Sequence, residues 1–211
     1  CISDVDGLVS LYIGKRDGKE DYNLNSLRPD WLVNTADAIK VHSLSLSTLL
    51  DQVEAEKITC LKVDVEGMEL SIIKQLKDLK ETRLPKVLMF EYGGGGNRES
   101  GKGGWSEEIL DGTLKSLEII RNLGYEQIVL IDLAPEAKAQ VLNLKSFDLE
   151  SYKSYINIFP NFSIYGNIIA FRKFYYSERK IAAICKSYQG NRMKNNLLKR
   201  LMDKLLIKRT S

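Results

Sequence analysis

The chain has 211 residues, 44% of them hydrophobic, and a formal net charge of +3. A chain of this length can bury roughly 70% of its unfolded surface, which suits one globular domain with its own core. It contains no run of ~18 apolar residues, which excludes a membrane-spanning helix within it; Cys1, Cys60 and Cys185 lie far apart with no metal-ligand spacing, which argues against a zinc module and fits reduced thiols in a cytoplasmic protein.

Residues 8–13 and 39–44 read as short β-like runs flanking a polar excursion that holds Gly14, Gly18, Asn23, Asn25 and Pro29. His42, the only histidine, falls in the second run; with no partner of metal-site or triad type it reads as a half-buried structural residue. Ser45 is placed to cap a short helix through Val53. Residues 58–65 form a near-continuous apolar run, the pattern of an interior parallel strand. Leu70, Ile72, Ile73, Leu76 and Leu79 then recur at helical spacing, and Pro85 follows. Residues 87–90 give the next strand, ending at Glu91 and Tyr92. The stretch 93–104 holds seven glycines and no core-forming content, so a mobile loop is expected, with Trp105 just beyond as an anchor. It lacks the Lys-Ser/Thr ending of a phosphate loop. Ile109, Leu114, Leu117, Ile119, Ile120 and Leu123 predict a helix stopped by Gly124. Strands are expected at 128–131 and 164–171, with an aromatic-dotted insertion at 133–163 packed over a sheet end or edge. Strands alternating with helices predict a parallel α/β sheet.

The most informative stretch is Leu61-Lys62-Val63-Asp64-Val65-Glu66-Gly67-Met68-Glu69-Leu70. An apolar strand ends in two carboxylates one residue apart, then a glycine, then a helix. In open α/β sheets, ligands bind outside the carboxyl ends of the strands. Strand alternation would point Asp64 and Glu66 to one side and Val65 to the other. So close a pair can repel and raise one pKa, giving a proton acceptor near neutrality. The plainer alternative is that both carboxylates merely favour the amino end of the next helix. Asp4 is either a ligand acceptor or a turn residue before Gly7, and Asp6 belongs to that turn. Glu91 either touches substrate or is a surface carboxylate at a strand end.

The stretch resembles the "lKiDvEGaE" pattern of the FkbM family of S-adenosylmethionine-dependent methyltransferases. Ile2-Ser3-Asp4 with Gly7 resembles that family's segment after its third strand, Asn25-Ser26-Leu27 its "SSL" loop, and residues 41–50 its "TLDdLL" helix start. Residues 87–91, Leu123-Gly124-Tyr125 and residues 167–171 resemble later elements, so the match covers roughly residues 1–132 and a closing strand. The resemblance implies a Rossmann-like class I methyltransferase sheet of α/β class. Such enzymes carry a Gly-rich turn of the "D-x-G-A-N-x-G" type, and none is present; the chain also opens at Cys1 within a recognisable segment. An N-terminally truncated domain over 1–173 is therefore expected, binding S-adenosylmethionine poorly by itself and leaving an unpaired edge beside the Asp64 strand.

The resemblance implies Asp64 and Glu66 as catalytic residues, with Ser3, Asp4, Asp64 and Gly67 toward S-adenosylmethionine and Glu66, Glu91 and Trp105 toward the acceptor. It implies methylation of an oxygen on a sugar or natural product; no metal ligand set is expected. Residues 172–211 carry twelve Lys and Arg against two acids, net +10, while the remainder is net −7. Within the helical tail expected over 174–211, Leu197, Leu198, Leu201, Met202, Leu205 and Leu206 recur at helical spacing. That tail reads as a helix docked on its own domain or a partner, or as an interfacial helix on anionic membrane. Nucleic acid is not supported, since no stacking platform or base-reading motif accompanies the charge. Two rivals to the enzyme stand: a non-catalytic Rossmann-like binding domain, and a membrane-peripheral adaptor worked by the tail.

Overall fold

The run expected at residues 8–13 lies in strand β1 (Gly7–Arg16), which pairs antiparallel with β3 (Asn34–Ser43), Leu8 opposite His42 and Leu11 opposite Ile39. A two-residue strand, β2 (Lys19–Glu20), folds back on the end of β1 through Asp17 and Gly18, both at positive φ, to complete a sheet of order β2-β1-β3. The structure, a computed structural model, describes residues 1–31, 34–93, 107–132, 139–146 and 165–173, with 177, 179–181 and 183. His42 is exposed rather than half-buried. Its cross-strand neighbour Leu8 is itself 64% exposed, so among the described residues nothing covers that face of the hairpin.

Ser45 caps α1 (Leu46–Gln52) as expected, accepting from the Thr48 amide. Asp6 adds to the cap. Its carboxylate accepts from the Ser45 amide at 2.7 Å and the Thr48 hydroxyl at 2.9 Å. Those bonds, the Ser45 amide first, hold its carboxyl below the usual range. Asp6 thus ties the first loop to α1, a turn role with a longer reach than a local Asx turn.

The main sheet contains β4 (Cys60–Val63), β5 (Val87–Gly93), β6 (Tyr125–Asp132), β7 (Gln140–Asn143) and β8 (Tyr165–Arg172) in the order β4-β5-β8-β6-β7. Only β4 and β5 are parallel; β8 inserts antiparallel to both β5 and β6, and β7 is antiparallel to β6. The parallel sheet expected from alternation is therefore corrected to a mixed one. The physical reason is the connection: a parallel neighbour needs a crossover, usually helical, whereas a strand that returns along its neighbour can pair antiparallel. The run at 58–65 is also corrected. Its regular part is only Cys60–Val63, at the edge of the sheet, with Cys60 and Lys62 exposed. Among the described residues no strand pairs with the outer side of β4. The insertion at 133–163 supplies β7 along the opposite edge.

Period-2 alternation divides the sheet into two faces. Leu88, Phe90 and Tyr92 of β5, Ile128 and Leu130 of β6, and Ile168 and Ala170 of β8 share one core with Ile72 and Ile73 of α2 (Glu69–Gln75) and Leu117 and Ile120 of α3 (Glu107–Asn122). Val129 and Phe171 face the other way, where Ile181 covers them. Gly124, at φ +86°, ends α3 with its amide on the Arg121 carbonyl, a left-handed stop that suits glycine. Tyr125 follows, fully buried, and donates its hydroxyl to the Pro85 carbonyl at 2.7 Å. Burial pushes that phenol well above its usual pKa. Tyr125→Phe keeps the ring and strands the carbonyl, so urea denaturation should show a loss of about 1–2 kcal/mol; an unchanged midpoint would mean that water replaces the hydroxyl.

No helix among the described residues is long and apolar enough to cross a membrane. The glycine stretch beyond Gly93, Trp105 and the leucine stripe at 197–206 lie outside the described residues.

Candidate functional site

Strand β4 stops at Val63, and the chain then turns sharply. Glu66 has φ +48° and Gly67 φ +94°, so two successive residues are left-handed before α2 begins. The strand alternation expected to align Asp64 with Glu66 is thus corrected: both lie past the strand, and the turn sets their directions. The Glu69 carboxylate closes this turn by accepting the amides of Val65 at 3.1 Å and Gly67 at 3.1 Å. Met68, the residue that precedes α2, makes no side-chain capping bond. The task of tying down the helix start therefore falls to Glu69, and Asp64 and Glu66 are turned elsewhere.

Continuing the β4–β5 register one step beyond Val63 and Phe90 brings Asp64 beside Glu91. Oxygens of Asp64, Glu66 and Glu91 lie within 4.8 Å of one another. Asp64 is exposed and ion-paired with Lys62, whose ammonium this contact holds above its usual pKa. Glu66 is half-buried, and its Oε2 accepts from the Trp31 indole Nε1 at 3.0 Å. Burial raises the Glu66 pKa, while the Trp31 bond pulls the other way. Glu69 is likewise raised, by burial first. Glu91 is raised furthest, to about 8, by burial first and then by the charges of Asp64, Glu66 and Glu69 and a hydrogen bond with Asp64. Three carboxyls this close cannot all ionise cheaply, and Glu91, the most strongly raised, retains its proton near neutrality. Their oxygens are close enough to share one hard divalent cation; in this arrangement the Lys62 ammonium supplies positive charge at Asp64.

Two cavities adjoin the turn. One, of about 220 Å³, is bounded by Trp31, Gly67, Glu91, Tyr92 and the first turns of α3. The other, of about 330 Å³, is bounded by Asp4, Met68, Lys74, Gln75 and Asp78. Arg28, Gly67 and Leu70 line both, so the glycine turn is the wall between them.

Of the residues singled out in the sequence, the structure brings Asp64, Glu66 and Glu91 together, with Gly67 beside them and Asp4 exposed at the larger cavity. Ser3 is not part of the group. It is buried, its hydroxyl shared with Ser43 at 2.6 Å and its carbonyl taken by Gln75 at 2.9 Å. Trp105 lies outside the described residues. Three contributors were not foreseen. Glu69 had a signal, an acid in the first turn of a helix just after a glycine. Ser26, whose hydroxyl donates to the Glu66 carbonyl, had one in its "SSL"-like segment. Trp31 had none, because its partner is 35 residues away.

Neither curated proteins nor solved structures gave a match to the chain. A family model described as Methyltransferase FkbM domain matches residues 1–126. That span takes in Asp4, Ser26, Trp31, the turn from Asp64 to Glu69, and Glu91. With more than half of the chain matched, and with the turn, the carboxylate cluster and the cavities all inside the matched span, the chain belongs to the FkbM methyltransferase domain family.

Proposed function

We propose that this protein transfers a methyl group from S-adenosylmethionine to a hydroxyl oxygen of a glycan or small-molecule acceptor, with the Asp64–Glu66–Glu91 cluster as the reacting centre. The observation that carries the reading is a carboxyl cluster next to the Gly67 turn that two cavities share, with its proton-holding member Glu91 lining the smaller cavity. A parallel β4–β5 pair with α2 leaving the carboxyl end of β4 supports a Rossmann-like class I sheet.

The residues fit the cofactor. A sulfonium is a cation, and the acidic turn is a favourable place for one. Asp4, exposed at the larger cavity, can accept from an adenine amino group. When bound, the cofactor supplies an electrophilic methyl carbon. The protein's tasks are then to hold the acceptor oxygen in line and to take its proton. Positioning contributes up to ~7–11 kcal/mol to such a step, and a general base typically ~10²–10⁴-fold. Expected of Asp64 or Glu66, the base role suits Glu91 better: it borders the smaller cavity, and with its carboxyl pushed up to about 8 its ionised form is both available and basic close to neutrality. Asp64 is committed to Lys62 and Glu66 to Trp31. The basic segment 172–211 would, in this reading, bring the enzyme to acceptors carried on anionic lipid.

Calorimetry on the full-length protein tests this. S-adenosylmethionine should bind roughly tenfold or more tighter than neutral S-adenosylhomocysteine, a difference of ~1.4 kcal/mol. Asp64→Asn should erase the preference, because it removes one carboxylate and leaves Lys62 without its partner. Equal affinity for the two in the wild type, or no binding of either, would overturn the proposal. Binding with no transfer to any hydroxylated acceptor would leave the binding-domain alternative.

A further inference from the structure

Glu66 is held at two points by a segment far from it in sequence. The Trp31 indole donates to its carboxylate at 3.0 Å, and the Ser26 hydroxyl donates to its carbonyl at 2.6 Å. The Ser26 oxygen also accepts the Arg28 amide at 3.0 Å, so the segment 26–31 is braced internally. The Trp31 ring lies flat on the next residue: a Cβ placed on Gly67 would stand 2.4 Å from a ring carbon. Glu66 meanwhile sits at φ +48°, a conformation that costs a non-glycine residue of order 1–3 kcal/mol and persists only where its surroundings impose it.

We propose that Trp31 and Ser26 are positioning residues that clamp the left-handed Glu66 turn and fix its carboxylate beside Asp64 and Glu91. The inference rests on the methyl-transfer reading for its kinetic arm only. Helix propensity cannot account for the turn, since it lies before α2 begins. Glu69 fixes the amides of Val65 and Gly67 but not the Glu66 side chain. Without the indole N–H, Glu66 can swing toward solvent, and the cluster then loses one of the charges that keep the proton on Glu91. The charged groups acting on Glu66 come from several elements: Arg16 of β1, Asp21 ahead of the short turn at Tyr22–Leu24, Asp64 after β4, Glu69 of α2 and Glu91 of β5. Of these only Arg16 is positive, and the neutral Trp31 bond supports the ionised form beside it.

Trp31→Phe tests the clamp, because it keeps a ring over Gly67 and removes only the donor. NMR titration of isotope-labelled glutamate side chains, assigned with Glu66→Gln and Glu91→Gln, should show Glu66 titrating closer to the ordinary glutamate range in Trp31→Phe, as the freed side chain leaves its half-buried place, and Glu91 titrating lower than in the wild type. A methyl-transfer assay should show kcat reduced ~10-fold with the melting temperature nearly kept. In a Glu66→Gln background the same change should have no further effect on kcat, as coupled residues require. A second measurement needs no variant at position 31: the Trp31 indole N–H resonance should move with pH as Glu66 titrates, and should stay fixed in Glu66→Gln. An unmoved Glu66 titration in folded Trp31→Phe, or an indole resonance indifferent to Glu66→Gln, would overturn the clamp. If the titrations move as stated while the wild type transfers no methyl group, the clamp stands and the functional reading alone fails.

Discussion

Glu91→Gln should lower kcat by ~10²-fold or more and remove the rise of activity with pH expected of the wild type as it approaches pH 8. The substitution keeps size and hydrogen-bonding shape but cannot take a proton. In the wild type the Glu91 carboxyl titrates at about 8. The base form is therefore a minority at pH 7, and kcat/KM should climb with unit slope through pH 6 to 7.5 before levelling. A bound sulfonium favours the ionised carboxylate, so the kcat profile should level at lower pH than the kcat/KM profile. The same shift has a stability consequence. The folded state keeps a proton that the unfolded state releases at its ordinary value, 4.5. Stability is then highest below that value and falls as pH rises toward 8. Glu91→Gln should flatten that fall in thermal melts recorded between pH 4.5 and 8. Wild-type turnover in Glu91→Gln would return catalysis to Asp64 or Glu66, and Glu66→Gln would then be the decisive variant.

The legible parts of this fold are those whose cause is local. Ser45 announces α1 because a hydroxyl before a helix satisfies an orphan amide, and the same bond is present here. Gly124 ends α3 because a left-handed stop needs no Cβ. The apolar runs of β5 and β6 mark strands with one face on the helices. What failed to show is non-local. Nothing in residues 165–172 states that β8 slots antiparallel between β5 and β6; that depends on where two other strands leave a gap. The exposure of His42 depends on what packs over a hairpin face, which neither run encodes. The site divides in the same way. Asp64 and Glu66 could be singled out, because carboxylates at a strand's carboxyl end carry a local message. Their geometry could not. It is set by a left-handed turn, by an indole from 35 residues upstream and by a hydrogen bond to Glu91 of the next strand. Glu91, which alone looked like any strand-end carboxylate, becomes distinctive only through its neighbours.

Gly67→Ala should be the most damaging small substitution in the turn, in stability and in activity together. Two independent costs meet at this position. The backbone is at φ +94°, which an L side chain rarely adopts, and forcing one there costs roughly 1–2 kcal/mol. The added methyl would also stand 2.4 Å from one Trp31 ring carbon and 2.7 Å from another. A rigid indole cannot yield as the tip of a flexible chain would, so the ring must lift, and overpacking of this kind costs typically ~1–3 kcal/mol. Together the loss is about 2–5 kcal/mol, a large share of the ~5–15 kcal/mol that holds a domain folded. For a chain of this size that is a drop in melting temperature on the order of 5–15 °C. Lifting the indole also breaks its bond to Glu66, so the loss of activity should exceed what the unfolded fraction explains at any temperature below the melt. Gly67→Ala combined with Trp31→Leu separates the two costs: the smaller side chain removes the clash and should recover part of the melting temperature, while the strained backbone and the unclamped Glu66 keep activity low. A single Gly67→Ala protein that melts within a degree of wild type would show that the indole does not rest on this turn, and both the steric account and the clamp on Glu66 would go with it.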